Sequence, residues 1–121
     1  MNIKFLNGTN FEYLAAFETE EFFNGAGRRT LTFECAVGAV SVDALNGVLS
    51  DENNTASITL TNAEENVSNI YDGYVLKLKC GIESRLIQKE TPDTAAVYED
   101  RLIFKLGKRT YIEEQLRKLG L

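Results

Sequence analysis

Apolar and polar residues alternate along one central segment of the chain. Its apolar positions are Tyr74, Leu76, Leu78, Cys80 and Ile82, with lysines between several of them. Successive side chains of a strand point to opposite faces, so this pattern predicts a sheet with one buried and one solvated face. Sheets of this kind are typically antiparallel, which disfavours the parallel nucleotide-binding α/β folds.

The same alternation, together with turn residues, predicts the other strands. The predicted strands are 2–6, 11–23, 28–36, 55–61, 74–81, 85–89 and 95–106, with 85–89 as the hairpin mate of 74–81. The Asn-Gly-Ala-Gly segment at 24–27 tolerates the positive φ angles of a tight hairpin. We therefore expect a long hairpin arm over residues 12–33. The polar segments 51–54 and 62–69 are interpreted as loops.

Two helices are predicted by their capping residues. Ser41 is a suitable N-cap for a short helix at 42–49. Thr110 and Glu113 form the sequence pattern of a capping box, which predicts an amphipathic helix at 110–119. The expected fold is α+β but mainly β: an antiparallel β-sandwich or split barrel of six or seven strands, with one short mid-chain helix and a C-terminal amphipathic helix.

Length and charge narrow the class of protein. The 121 residues, 44% hydrophobic and 26% charged, predict one β-rich domain over residues 1–121. A net charge of -5 disfavours binding to nucleic acid, which needs clustered basic residues. The sequence shows neither a long apolar span nor a secretory signal, so we expect no membrane partner and synthesis in the bacterial cytoplasm.

The sequence offers little equipment for catalysis or metal binding. Histidine is absent, which removes the commonest general base and the commonest transition-metal ligand. Cys35 and Cys80 match no zinc spacing; we expect buried free thiols, with a cross-strand disulfide as the alternative. Glu18 and Glu20 share a strand face, so a carboxylate-based hydrolase is a third class of function, although solvated side chains are the default. We expect no enzyme activity and no cofactor or metal.

Contact residues are easier to nominate than catalytic ones. Phe22 and Phe23 are consecutive on a strand and point to opposite faces, so one is expected to stay exposed until assembly. Arg28 and Arg29 follow the glycine-rich turn, but the segment lacks the ending of a phosphate-binding loop, so an acidic partner is the alternative. Tyrosine is enriched at interfaces, which adds candidate contact residues. These are Tyr71, Tyr74, Tyr98 and Tyr111, of which we favour Tyr71 and Tyr111.

Several segments, in order, resemble small tail-associated structural proteins of phages and prophages of Gram-positive bacteria. The segments are Arg-Arg-Thr-Leu-Thr-Phe-Glu at 28–34, Val-Asp-Ala-Leu at 42–45, Ser-Asp at 50–51, Ala-Ser-Ile-Thr-Leu at 56–60, Tyr-Asp-Gly-Tyr at 71–74, Tyr-Glu-Asp-Arg-Leu at 98–102 and Arg-Thr-Tyr-Ile-Glu-Glu-Gln-Leu at 109–116.

The resemblance implies a non-enzymatic tail or tail-assembly protein that contacts itself, in a ring or dimer, or other phage structural proteins. It also implies a location in the virion after assembly, and it supplies no catalytic residues. The alternative function is a soluble adaptor or inhibitor, encoded by a mobile element, that binds one host protein.

Overall fold

The computed structural model describes residues 1–23, 26–64 and 66–120, and the side chains of Phe23 and Ala26 lie outside that description. The elements, in chain order, are β1 Asn2–Phe5, β2 Asn10–Glu12, β3 Ala15–Phe23, β4 Ala26–Ala36, α1 Val42–Leu49, α2 Glu52–Thr55, β5 Ser57–Thr61, β6 Val67–Asp72, β7 Leu76–Gln88, β8 Val97–Gly107 and α3 Tyr111–Lys118.

The described strands form two antiparallel four-stranded sheets. The first sheet has the order β2-β1-β5-β6 and the second has the order β3-β4-β8-β7. The predicted fold class is confirmed: the protein is mainly β, with a mid-chain helix and a C-terminal helix.

The chain passes from one sheet to the other at both lateral edges. At one edge, the N–H of Tyr13 donates to the carbonyl of Met1 in the first sheet, at 3.2 Å, and the N–H of Leu14 donates to Glu34 in the second sheet, at 2.8 Å. At the other edge, Gly73 turns the chain with a φ of 84°, a conformation that glycine adopts without steric cost. The sandwich is therefore joined along both sides, as in a split barrel.

The core lies between the inner faces of the two sheets. It consists of residues at alternate strand positions together with two leucines of α1: Ile3, Phe5, Phe11, Tyr13, Leu31, Phe33, Cys35, Leu45, Leu49, Ile58, Leu60, Tyr74, Leu102, Phe104 and Leu106. The rings of Phe33 and Phe104 stack with their centroids 4.9 Å apart on neighbouring strands. Both cysteines are free thiols, as predicted, but only Cys35 is buried and Cys80 is half-buried.

Four predictions of strands and loops need correction. The described residues contain eight strands, because the segment predicted as one strand at 11–23 changes sheet at residues 13–14 and so forms two. The segment 62–69 includes the start of β6, whose polar residues lie on an edge strand. Residues 85–89 do not pair with 74–81; both belong to β7, which continues without a turn. The loop predicted at 51–54 instead contains the one-turn helix α2, capped by Asp51.

The second sheet has two different ends. We call the end near Gly107, where β8 leads into α3 and the β3–β4 hairpin extends, the helix end. At the opposite end, β4 stops pairing with β8 at Arg101, but β7 and β8 go on pairing to Gln88 and Val97. We call this two-stranded extension, residues 84–88 and 97–100, the projecting arm.

Candidate interaction surfaces

The β3–β4 hairpin presents Phe22 to solvent at the helix end. Phe22 is 76% exposed and pairs in register with Gly27, beyond the last row in which β4 meets β8. Phe23 is the other aromatic residue predicted here, but its side chain lies outside the described residues, as do residues 24–25 of the predicted turn. Phe22 is thus the aromatic contact candidate that the structure places on this hairpin.

Arg28 and Arg29 are both engaged within the chain. Arg28 donates through Nη1 to the carbonyl oxygen of Lys108 at 2.8 Å, and its Nη2 lies 2.9 Å from Oε1 of Glu113. Arg29 donates through Nη2 to Glu18 at 2.6 Å. The sequence singled out these arginines for an acidic partner, whereas the fold gives both of them carboxylates of the same chain.

Glu18, the carboxylate considered above for catalysis, belongs to a hydrogen-bonded cluster around Tyr74. The hydroxyl of buried Tyr74 donates to Oε2 of Glu18, whose Oε1 accepts from Arg29. The ring of Tyr71 meets the ring of Tyr74 edge-on at 6.0 Å, and Nζ of Lys108 lies 5.0 Å from the centroid of the Tyr74 ring. Of the predicted contact residues, Tyr71 and Arg29 therefore meet in one cluster, and Tyr74 belongs to the core.

The pKa values of this cluster favour a structural ion pair. The hydrogen bond from Tyr74, followed by that from Arg29, lowers the pKa of Glu18 below its ordinary value. Burial, together with the bond to Glu18, raises the pKa of Tyr74 to about 12. A general acid at neutral pH needs a raised carboxyl pKa. Glu18 has the opposite environment, and both of its oxygens already accept hydrogen bonds.

The polar side of α3 faces the body of the protein. The capping box forms as predicted: the N–H of Thr110 donates to Glu113 at 2.8 Å, and the N–H of Glu113 donates to Thr110 Oγ1 at 3.3 Å. Glu113 also binds Arg28, while Arg109 lies 4.0 Å from Glu114 and pairs with Glu52, the first residue of α2. The bonds from Arg28 and from the backbone of Thr110 lower the pKa of Glu113 to about 2.

The apolar side of α3 faces solvent. Ile112, Leu116 and Leu119 form one stripe, which we call the α3 stripe; they are 68%, 42% and 74% exposed. Tyr111 lies beside the stripe and is 79% exposed. No described residue of this helix is buried. An amphipathic helix normally turns its apolar face to a core, so α3 is docked with the reverse orientation.

The projecting arm is a second uncovered apolar surface, and sequence analysis missed it as a unit. Leu86 and Tyr98 pair across the two strands and are 47% and 64% exposed. They lie on the same face as Ile82, which is at the base of the arm and 51% exposed. This face continues the core face of β7 and β8, because Ile82 pairs with buried Leu102. The alternation of Cys80, Ile82 and Leu86, interrupted only at Ser84, was the signal that could have revealed it.

Charged residues occupy the opposite face of the arm. Glu83 pairs with Arg85 at 3.2 Å, and Arg101 pairs with Glu99 at 2.7 Å. The arm thus has a solvated charged face and an apolar face that nothing in the described part of the chain covers. We call the apolar side, with Ile82, Ser84, Leu86, Tyr98 and Asp100, the inner face of the arm.

The grooves of the described surface show few groups that could bind a metal or act in catalysis. A groove of about 730 Å³ lies beside the passage from β2 to β3. Its lining includes Phe11, Tyr13 and Leu14, and Glu12 is the only carboxylate among its described lining residues. Across residues 1–23, 26–64 and 66–120, no three cysteine or carboxylate side chains come together in a geometry that could hold a metal ion.

Comparisons with known proteins do not identify a function, so a proposal of function has to rest on the surfaces described above. No family model matches the chain, and no curated protein or solved structure matches it significantly. No helix in the described ranges is long and apolar enough to cross a membrane.

Proposed function

We propose that this protein is a non-enzymatic structural protein of a phage or prophage, acting in the tail or its assembly through contacts with itself and with other structural proteins. The observation behind the contact function is the reversed docking of α3. Its charged side is anchored by Arg28 and Arg109, and its apolar stripe is left to solvent. The phage context rests on the sequence resemblance described above.

The energetic argument starts from the cost of exposing large apolar side chains. Burying one such side chain is worth roughly 1.5–3 kcal/mol, and contiguous exposed patches are uncommon on monomeric proteins. Here about half of the exposed large apolar residues lie on elements that project from the sandwich, namely the β3–β4 hairpin, α3 and the projecting arm, while the others are scattered over the rest of the surface. A protein that assembles through these elements recovers that free energy only when its partner is present.

The mechanism we infer is contact by preformed elements. Each of the three surfaces is part of, or anchored to, the second sheet, so a partner meets an ordered surface and association avoids much of the entropy cost of ordering a loop. The alternative, an adaptor or inhibitor that binds one host protein, would use the same surfaces but would need no self-association.

Co-expression with the products of the neighbouring genes tests the proposal. The expected result is that the genes on either side encode tail components, and that at least one product copurifies with this chain or forms particles with it in electron microscopy. Replacing Ile112 by Glu should abolish that copurification, whereas the matched exposed substitution Ile70→Glu on β6 should leave it intact. A chain that stays monomeric and binds none of these products would contradict the proposal.

A further inference from the structure

We infer that the α3 stripe of one copy docks on the inner face of the projecting arm of a second copy. This inference rests on the proposed function and names the partner and the contact surfaces. The two surfaces lie near opposite ends of β8, an 11-residue strand, and are thus separated by roughly 35 Å at about 3.3 Å per residue. One copy therefore cannot cover its own arm with its own helix.

The two surfaces match in length. The α3 stripe runs from Ile112 to Leu119, which is roughly 10 Å at 1.5 Å per residue. The inner face of the arm runs from Ile82 to Leu86, which is roughly 13 Å along the strand. The α3 stripe is apolar throughout, whereas the Ser84–Asp100 pair lies between the apolar residues of the inner face. Both surfaces belong to elements whose charged sides are already occupied by ion pairs.

The two surfaces also match in charge. Asp100 lies among the apolar residues of the inner face, and Lys118 lies in the last turn of α3, directly before Leu119 of the stripe. Neither Asp100 nor Lys118 takes part in an ion pair between described residues. Docking α3 on the arm would bring the basic last turn of one copy near Asp100 of the other, and this complementarity favours the arm as the site for the helix.

The contact is heterologous, since it joins different surfaces of the two copies. Each copy has one of each surface, so docking leaves a free arm at one end of the pair and a free helix at the other. Such contacts propagate into a ring or an open filament. The few side chains on α3 are fewer than the roughly 20–30 residues a side of a standard interface, so we expect assembly to depend steeply on protein concentration.

Sedimentation velocity on two blocked variants tests the inference. The helix variant carries Ile112→Glu with Leu119→Gln, and the arm variant carries Leu86→Lys with Tyr98→Thr; all four positions are exposed. Each variant alone should be monomeric where the wild-type chain assembles. An equimolar mixture should form a dimer and nothing larger, because the helix variant supplies an intact arm and the arm variant supplies an intact helix.

The other outcomes overturn the inference. An arm variant that still self-associates through its intact helix would show that α3 pairs with α3 and not with the arm. A mixture that stays monomeric would exclude the helix-to-arm contact. Ile70→Glu is the matched control at an exposed position of β6 and should assemble as the wild type does. Circular dichroism of each variant verifies that the fold is intact.

Charge reversal supplies a second test on the same contact. Asp100→Lys and Lys118→Glu should each weaken assembly about two- to fivefold, the range for one exposed ion pair. The double variant should recover the wild-type concentration dependence. Additive losses in the double variant would overturn the pairing of these two residues.

Failure of this inference is distinguishable from failure of the proposed function. If the wild-type chain binds a tail protein but remains monomeric at every concentration, the proposed function stands and the helix-to-arm contact is wrong. If the chain neither self-associates nor binds a tail protein, both are wrong.

Discussion

At the scale of single residues, a few charged side chains hold the helix end of the protein together. Arg28 joins β4 to the turn before α3 and to Glu113 within that helix, and Arg29 joins the same strand to Glu18 and its bond with Tyr74. These are charge-assisted hydrogen bonds between residues far apart in sequence. They position α3 and the β3–β4 hairpin relative to each other, so the proposed contact surfaces depend on side chains that are bound within the chain.

The ion pair of Glu113 predicts an unusual titration. Arg28 and the Thr110 amide lower the pKa of Glu113 to about 2 from an ordinary value of 4.5. Because the pKa is depressed in the folded state, this residue stabilises the docked helix above about pH 4.5, and the contribution is lost as the pH falls toward 2. Carbon-detected NMR titration of the Glu113 carboxyl should give a midpoint near pH 2.

A variant of the partner checks the cause of that shift. In Arg28→Gln the midpoint of Glu113 should move up toward 4.5, while Thr110 continues to cap the helix. An unchanged midpoint in this variant would show that Arg28 is not the main cause of the low pKa.

The hydroxyl of Tyr74 predicts a loss of stability without a loss of packing. Tyr74→Phe keeps the buried ring but removes the donor to Glu18, so the free energy of unfolding should fall by about 1–2 kcal/mol at neutral pH. Because this bond helps to lower the pKa of Glu18, the difference between the two proteins should shrink as the pH falls and Glu18 becomes protonated. Urea denaturation of both proteins at several pH values measures this difference in the free energy of unfolding.

A substitution of Glu18 distinguishes a structural role for this carboxylate from the hydrolase hypothesis. Glu18→Gln should lower stability by an amount similar to or smaller than Tyr74→Phe, because an amide still accepts a hydrogen bond but loses its charge. A variant that keeps full stability at neutral pH would contradict a structural role for this carboxylate.

At the scale of elements, both the projecting arm and α3 extend beyond the sandwich. The arm begins where β4 stops pairing with β8. On its inner face, Leu86 and Tyr98 remain exposed, because no described element of the first sheet covers them. α3 follows β8 at the other end and contacts the body through Glu113 and Glu114. An element of this kind adds surface for a partner while adding little to the core.

Shortening the arm should therefore leave the folded monomer stable. Replacing residues 85–99 by Asn-Gly joins Ser84 to Asp100, which are paired in register, through a two-residue hairpin turn. The free energy of unfolding, measured by urea denaturation at a concentration where the wild type is monomeric, should change by less than about 1 kcal/mol. A loss comparable to the roughly 2–5 kcal/mol of a large core truncation would contradict this view of the arm.

At the scale of the whole molecule, the proposed assembly joins apolar surfaces of copies that repel each other. Each copy has a net charge of -5, and the proposed contact adds only one ion pair between Asp100 and Lys118. The favourable free energy of assembly therefore comes from apolar burial, while the long-range electrostatic term opposes it.

Salt should consequently strengthen assembly. Raising NaCl from about 20 mM to about 300 mM shortens the screening length to below about 10 Å and weakens the repulsion between copies. In sedimentation velocity, the concentration at which half of the protein is assembled should fall as salt rises. Dissociation by salt would show that ion pairs, not apolar surfaces, dominate the contact.

Local patterns were sufficient for much of the architecture. Helix α1 spans residues 42–49 as predicted from its cap and its apolar spacing, and the capping box of α3 forms between Thr110 and Glu113. Alternation identified the core face of β4 and β8, since a strand places every second side chain on one side. It failed in β7, where the register shifts between Lys77 and Lys79 and Leu78, predicted on the buried face, is 42% exposed. These features depend on neighbours within a few residues, so they can be deduced without the fold.

Only the tertiary structure decided which apolar positions are covered. Leu31 and Leu86 both lie at apolar positions of alternating strands, yet Leu31 is fully buried and Leu86 is 47% exposed. The difference arises because β4 lies within the sandwich, whereas this part of β7 extends past the last residue of β4 that pairs with β8. Likewise, Arg28 acquires Glu113, and α3 turns its apolar stripe outward, because of contacts between residues distant in sequence. Burial and charge pairing depend on which segments meet in space, and local periodicity contains no information about that.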